Sequence, residues 1–128
     1  MRNEVTRTKK IYFIDLGIRN VLAENFQPVD VFSRTDVGAL FENLAIVERL
    51  KTIAHQDIHF VHRYFWRTFT QQEVDYLEDR QGQLSAFEFK WNPNVKRMSP
   101  PKSFAQAYPQ ASFTVVARYT LLDFVEGI

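Results

Sequence analysis

Glu73-Val74-Asp75-Tyr76-Leu77-Glu78-Asp79-Arg80-Gln81-Gly82-Gln83-Leu84-Ser85-Ala86-Phe87-Glu88-Phe89-Lys90 reads as a β-hairpin. Two runs of strand-forming residues, Glu73 to Glu78 and Leu84 to Lys90, flank the turn Asp79 to Gln83, in which Gly82 supplies the positive φ that tight turns often need. With the loop centred between Gln81 and Gly82, Asp75 falls opposite Glu88 and Glu73 opposite Lys90. Side chains alternate along a strand, so these four share one face. Val74, Tyr76, Phe87 and Phe89 share the other, which suits burial against a helix. A slip of one residue would dissolve the arrangement.

Two carboxylates directly across an antiparallel pair have Cβ atoms roughly 4.5–5.5 Å apart, and their repulsion costs stability unless something compensates. A hard divalent cation such as Mg²⁺ binds carboxylate oxygens and would remove it. It would also lower the pKa of a bound water and stabilise charge on a phosphate. Lys90 points to the same side as Glu88 and could neutralise developing phosphoryl charge. The set Asp75, Glu88 and Lys90 is therefore coherent for phosphodiester hydrolysis. The plain alternative is a solvated hairpin face, with Glu73 and Lys90 as a cross-strand ion pair.

Upstream, Asp36 to Ala54 has the pattern of the longest helix. Ser33, Thr35 and Asp36 are its candidate N-caps, and Leu40, Phe41, Leu44 and Val47 form its apolar stripe. Glu42 lies off the centre of that stripe. Ile58 to Arg67 alternates and is rich in aromatic and β-branched residues, which predicts a strand. Thr68 to Gln72 is a turn. Lys10 to Asp15 is a short strand candidate, Ile18 to Glu24 a short helix, and 25 to 34 a loop or brief strand interrupted by Pro28. Downstream, Pro93, Pro100 and Pro101 break 91 to 101. Lys102 to Tyr108 reads as a helix stopped by Pro109, and Ser112 to Arg118 as a last strand. From Asp36 the order is helix, three strands, helix, strand. This predicts an α/β domain whose first three strands pair antiparallel, with the last helix bringing the final strand in parallel. Residues 1–35 form an N-terminal strand and helix extension, and 36–118 the core.

The whole chain is 128 residues, the size of one domain, and 45% hydrophobic, enough for a core. It has no Cys, which excludes disulfides and thiolate metal sites. No apolar run approaches the roughly 18 residues of a membrane span, and the apolar stretch after the charged N-terminus is short for a secretory signal. The expectation is a cytoplasmic protein without a membrane partner. Net charge is +1. Between Glu88 and Asp123 no acidic residue occurs, while Lys90, Lys96, Arg97, Lys102 and Arg118 do. This stretch is either a basic surface for DNA or RNA, with Lys96, Arg97 and Lys102 as contacts, or an ordinary solvated loop. His55, His59 and His62 are close in sequence, but strand parity puts His59 and His62 on opposite faces, against zinc. Trp66, Phe65 and Tyr64 could stack on bases, but in a central strand they belong to the core.

The segments Lys10-Ile11-Tyr12-Phe13-Ile14-Asp15-Leu16-Gly17, Gly38-Ala39-Leu40-Phe41-Glu42-Asn43, Tyr64-Phe65-Trp66-Arg67, Glu73-Val74-Asp75-Tyr76 and Ala86-Phe87-Glu88-Phe89-Lys90 carry a resemblance. In this order and spacing the chain resembles an uncharacterised domain of bacteria and archaea, usually found C-terminal to an AAA-type ATPase module. Families of this kind are similar to the PD-(D/E)XK nuclease superfamily. The resemblance implies a restriction-endonuclease-like core with a central mixed sheet flanked by helices. It implies Asp75 as the metal-binding aspartate, Glu88 and Lys90 as the Glu-x-Lys pair, and Glu42 as the glutamate that the first helix adds to the metal shell, with Mg²⁺ or Mn²⁺ as cofactor. Glu73 matches a residue typical of the domain, with no derivable role. Gln106 and Tyr108 depart from the Gln-x-x-x-Tyr spacing of some relatives and are not site candidates.

The implied function is Mg²⁺-dependent phosphodiester hydrolysis, or nucleic-acid binding by a degenerate descendant of it. The alternative is a non-catalytic module that docks a partner or regulates an ATP-binding protein. No Gly-x-x-x-x-Gly-Lys-Ser/Thr loop occurs, so these 128 residues are not themselves the ATPase. The resemblance makes 1–128 a single nuclease-like domain at the C-terminal side of a longer ATPase protein, or a stand-alone remnant. A homo-oligomer is left open.

Overall fold

In the computed structural model, which describes residues 10–28, 35–92 and 99–128, β1 (Val61–Arg67), β2 (Glu73–Arg80), β3 (Gln83–Lys90) and β4 (Ser112–Ala117) form one sheet in that order. β1, β2 and β3 pair antiparallel, and β4 joins β3 in parallel. Four helices accompany the sheet: α1 (Leu16–Leu22), α2 (Val37–His55), α3 (Lys102–Ala107) and α4 (Leu121–Glu126). The expected order of helix, three antiparallel strands, helix and parallel strand is present. The chain is thus a mixed α/β domain.

The hairpin register is the one expected, with Tyr76 opposite Phe87 and Arg80 opposite Gln83. Both strands run further than the residue pattern suggests, because the turn needs only Gln81 and Gly82. Both adopt positive φ, 55° and 85°, as a type I′ turn demands. Asp79 Oδ1 accepts the Gly82 N–H at 2.9 Å and braces that turn.

The faces of β2 are not simple alternates. Tyr64 pairs with Leu77, but Trp66 pairs with Val74, so β2 carries an extra residue beside Phe65. Such a bulge swaps the face of everything beyond it. Val74 accordingly packs with Leu77, Ala86, Trp66 and Phe104 of α3. It does not share the face of Tyr76 and Phe89, which pack with Phe41, Ala45 and Ile46 of α2 and Phe124 of α4. The expected common face of Val74, Tyr76, Phe87 and Phe89 is corrected to this extent. The sheet is thus sandwiched between α2 with α4 on one side and α3 on the other.

α2 is buried around most of its circumference. Leu40, Phe41, Ala45, Ile46, Val47 and Ile53 are core residues, and Asn43 and Arg49 are buried polar ones. Arg49 closes the layer. Its Nε and Nη2 donate to the two oxygens of Glu78 at 2.6 and 2.8 Å, and its Nη1 donates to the Phe124 carbonyl. The Tyr76 hydroxyl donates to the same Glu78 at 2.6 Å. The guanidinium lies over the rings of Phe124 and Phe87, 4.5 and 5.0 Å from their centroids. Burial opposes ionisation of Glu78, but Arg49 and Tyr76 outweigh it and hold its carboxyl below the usual range.

Other expectations are revised. Asp36 is the N-cap of α2, yet its carboxylate accepts from Arg19 at 2.5 Å and makes no cap bond. Lys10 to Asp15 forms no strand, and the helix behind it starts earlier than expected because Asp15 caps it, accepting the N–H of Gly17 at 2.7 Å. The first strand starts at Val61, since Asp57 and Phe60 take positive φ as the chain leaves α2. β1 is an edge strand; Trp66 is buried but Tyr64 is not. His55, His59 and His62 are exposed, and His59 lies against Asp57 at 3.1 Å. The expected core, 36–118, stops short of α4, which follows a 3₁₀ turn at Arg118–Thr120 and buries Phe124. The loop expected over 25–34 and the proline-rich stretch lie partly outside the described residues. Among the described residues no helix is long and apolar enough to cross a membrane.

Two outcomes test this packing. Glu78→Leu strands Arg49 and lowers the unfolding free energy by about 3–5 kcal/mol, whereas Arg49→Met with Glu78→Leu recovers most of the loss, both read by urea denaturation. Phe124→Ala costs about 3–5 kcal/mol in the same assay, which a peripheral C-terminal helix would not produce.

Candidate functional site

The bulge in β2 decides where Asp75 goes. The β2–β3 ladder has its last pair at Tyr76 and Phe87, and the Asp75 carboxylate, rather than the β2 main chain, accepts the Phe89 N–H at 2.9 Å. The side chain is 16% exposed and lies toward α2, within reach of Glu42. Glu88 stands one step past the last paired residues, half-buried, and its charge bears on Asp75. Lys90 ends β3, exposed.

The centre of the cluster is a residue that the reading of the hairpin does not contain. Lys10 Nζ lies 2.9 Å from Glu42 Oε1, 3.0 Å from Glu73 Oε1 and 3.9 Å from Asp75 Oδ1. It also donates to the Asp75 carbonyl at 3.3 Å. The Tyr12 hydroxyl donates to Glu42 Oε1 at 2.8 Å. Phe13 exchanges both backbone hydrogen bonds with the Asn43 side chain, at 2.8 and 2.6 Å, which fastens the segment to α2. Lys10, Tyr12, Ile46, Leu50, Phe65 and Asp75 are among the residues around a recess of about 200 Å³ here.

Glu73 therefore acquires a role. Its carboxylate takes Lys10 and, at 3.1 Å, Arg67 across the β1–β2 pair. The expected partner, Lys90, is not among these contacts. Lys10 and Tyr12 were legible in principle, since an extended segment sends residues two apart to one side. What sequence cannot supply is that this side meets Glu42, 32 residues on from Lys10.

The electrostatics follow from this crowding. Burial pushes the Asp75 carboxyl up to about 6; the Phe89 N–H and Lys10 oppose the rise, and Glu42 and Glu88 add to it. Burial also acts against the Lys10 ammonium, but the hydrogen bond and charge of Glu42, with Glu73 and Asp75, more than compensate and raise its pKa. Glu73 is held below the usual carboxylate range: burial opposes this, and Lys10 and Arg67 prevail. Tyr12 is pushed well above the usual tyrosine value by burial and by Glu42.

The oxygen donors here are chemically those of a hard cation such as Mg²⁺ or Mn²⁺, and a cation does stand among them: the Lys10 ammonium. Among the described residues no three Asp, Glu or His side chains are arranged to hold a metal ion. Glu42 and Asp75 are brought together; Glu88 flanks them. Of the expected nucleic-acid contacts, Lys102 begins α3 and is exposed, while Lys96 and Arg97 lie outside the described residues. A larger groove, of about 750 Å³, runs between the hairpin turn and the loop after α3. The one carboxylate among its described lining residues is Asp79, already engaged in bracing the turn, so the groove offers no comparable chemistry.

The family model described as a domain of unknown function, DUF4143, matches residues 37–126, and the chain belongs to that family. The matched span holds every segment that carried the resemblance except Lys10 to Gly17. No curated protein and no solved structure matches the chain.

Asp75 sets a pH dependence. Its folded pKa, about 6, exceeds the ordinary 3.8, so its contribution to stability is full below about pH 3.8 and is lost as pH rises through about 6. Asp75→Asn imitates the neutral acid. Its unfolding free energy exceeds that of the wild type above about pH 6, by on the order of 2–3 kcal/mol, and the gap closes toward about pH 4, as read by urea denaturation across that range. Glu73 and Glu78, whose values are lowered, keep their contributions above the ordinary 4.5 and lose them only as pH falls below it.

Proposed function

We propose that this domain is of the PD-(D/E)XK nuclease kind, in which Glu42 and Asp75, with Glu88 drawn in from its flanking position to complete the set, would hold Mg²⁺ or Mn²⁺ and Lys90 would assist phosphodiester hydrolysis in DNA or RNA. The observation that supports it is the convergence of Glu42, from α2, and Asp75, from the bulged strand, on a single cation at 2.9 and 3.9 Å. Two carboxylates that gather on one ammonium form a pair of donors suited to a hard ion. The succession of helix, antiparallel hairpin and parallel strand is the one this site type uses.

A bound metal would supply an activated water and charge neutralisation at the phosphate. The chain's own contributions are more specific. The Phe89 N–H orients the Asp75 carboxylate, leaving its other oxygen for the cation. Lys90, exposed at the end of β3, is free to approach a phosphate oxygen from solvent. Lys102 would lie along a backbone-binding surface.

A second reading, a non-catalytic module that docks or regulates an AAA-type ATPase, is favoured by one observation: the acidic cluster already has a cation in Lys10.

Calorimetric titration with Mg²⁺ or Mn²⁺ is expected to give binding that Asp75→Ala abolishes; no binding at millimolar metal would sink the metal site. Cleavage of single- or double-stranded DNA or RNA is expected to fall by about 10²-fold or more in Lys90→Ala. Activity that ignores this substitution would exclude the assigned role.

A further inference from the structure

The N-terminal segment shows its apolar side to solvent. Lys10 and Tyr12 send their polar groups in to Glu42, and the Phe13 main chain bonds Asn43, while Ile11 and Ile14 are exposed. α1 repeats the inversion. Leu16, Arg19 and Asn20, at helical spacing, form its sheltered side, where Asp36 holds Arg19 at 2.5 Å. Ile18, Val21 and Leu22, again at helical spacing, form the outer side and are exposed. Beyond the helix, Asn25 donates to the same Asp36 carboxylate at 3.4 Å, and Phe26 is exposed. α1 has no buried residue. A surface helix ordinarily turns its apolar stripe to the core and its polar side to water; here the polar side fastens the helix and the apolar side faces away.

We propose that this outward stripe is the interface of a two-fold dimer, covered by the same stripe of a second copy of the chain. The inference is independent of the nuclease reading.

The area is that of an interface. Ile11, Ile14, Ile18, Val21, Leu22 and Phe26 are between 57% and 80% exposed. Side chains of this size then offer on the order of 100 Å² each. Together, roughly 600 Å² is the upper end of what a monomer leaves uncovered. With a polar margin it approaches the roughly 800 Å² per partner of a standard interface.

The pattern favours a copy of itself as the occupant. Ile14, Ile18, Leu22 and Phe26 recur every four residues, so the stripe is symmetric about Asn20. A two-fold contact needs this self-complementarity, because residue i meets j and j meets i. With the two α1 helices antiparallel, Ile18 meets Leu22 of the second copy, and Ile14 and Phe26 extend the contact at each end. In that register Asp15 falls opposite Asn25 and Glu24 opposite Leu16, so no like charges face each other. Arg19, the one cation of residues 11–26, is turned in to Asp36. A net charge of +1 leaves two copies little mutual repulsion.

Sedimentation equilibrium of the full chain, from micromolar to about 100 μM, is expected to show a reversible dimer. Ile18→Glu and Leu22→Glu, which bury a carboxylate at the centre of the contact, raise the dissociation constant by about 100-fold or more. Leu122→Glu, at an exposed leucine on α4, leaves it unchanged. Circular dichroism and thermal melting establish that each variant is folded; Ile18→Ser and Leu22→Ser replace the glutamates if they are not. The chain has no Cys, so Ile18→Cys mixed with Leu22→Cys reports the register, the two cross-linking to each other faster than either to itself. A chain that stays monomeric at about 100 μM overturns the inference and leaves the stripe to a different protein. A dimer that Leu122→Glu dissolves and the α1 variants do not overturns it as well. So does preferential cross-linking of Ile18→Cys to itself, or a mass that keeps growing with concentration, the mark of an open head-to-tail contact.

Discussion

The guanidinium of Arg49 is buried among aromatic rings, where a charge without partners costs several kcal/mol. Its partners come from three elements: the Glu78 carboxylate on β2, the Phe124 carbonyl on α4 and the faces of Phe87 and Phe124. Tyr76 adds a hydrogen bond to the same carboxylate. Arg49 and Glu78 are 5% and 1% exposed, so neither can fall back on water. Satisfying them fixes how α2 lies over the sheet and where α4 closes the chain. Glu42, two turns before Arg49 on the same helix, is thereby carried to the start of β2. The candidate site depends on this buried pair although it shares no residue with it.

The second constraint is the bulge. Without the extra residue in β2, Asp75 would share a face with Leu77, against α3. With it, Val74 and Leu77 pack together against Phe104, and Asp75 and Tyr76 turn toward α2. The Phe89 N–H then holds Asp75 where the hairpin strands part. Bulges that re-aim a side chain beside functional sites are a recurrent device. Here the result is a carboxylate cluster whose mutual repulsion is relieved by a lysine from the far N-terminal segment.

Much of the fold was legible in local pattern. The hairpin centre followed from Gln81-Gly82, α2 from its apolar spacing and Asp36, and the end of α3 from Pro109. Each reports a preference set within a few residues. Misreadings came where a neighbour overrode the local signal. Lys10 to Asp15 has strand composition but forms no ladder; the backbone N–H and carbonyl of Phe13 at its centre bond the Asn43 side chain instead. The short α4 has no local signature, because six residues carry little periodicity and its helix is stabilised by burying Phe124 rather than by propensity.

The candidate site divides in the same way. Sequence by itself put Asp75, Glu88 and Lys90 on one face of one hairpin, since strand period and turn centre are local quantities; the bulge in β2 breaks that simple alternation at Asp75. With the family resemblance it also marked Glu42. Only the tertiary structure decided that Asp75 faces α2, that Glu73 belongs to Lys10 and Arg67, and that Lys10 stands at the centre of the cluster. The reason is physical. A bulge is a mismatch between two strands, and a salt bridge across 32 residues depends on how a helix seats on a sheet. Neither quantity exists until the elements have packed.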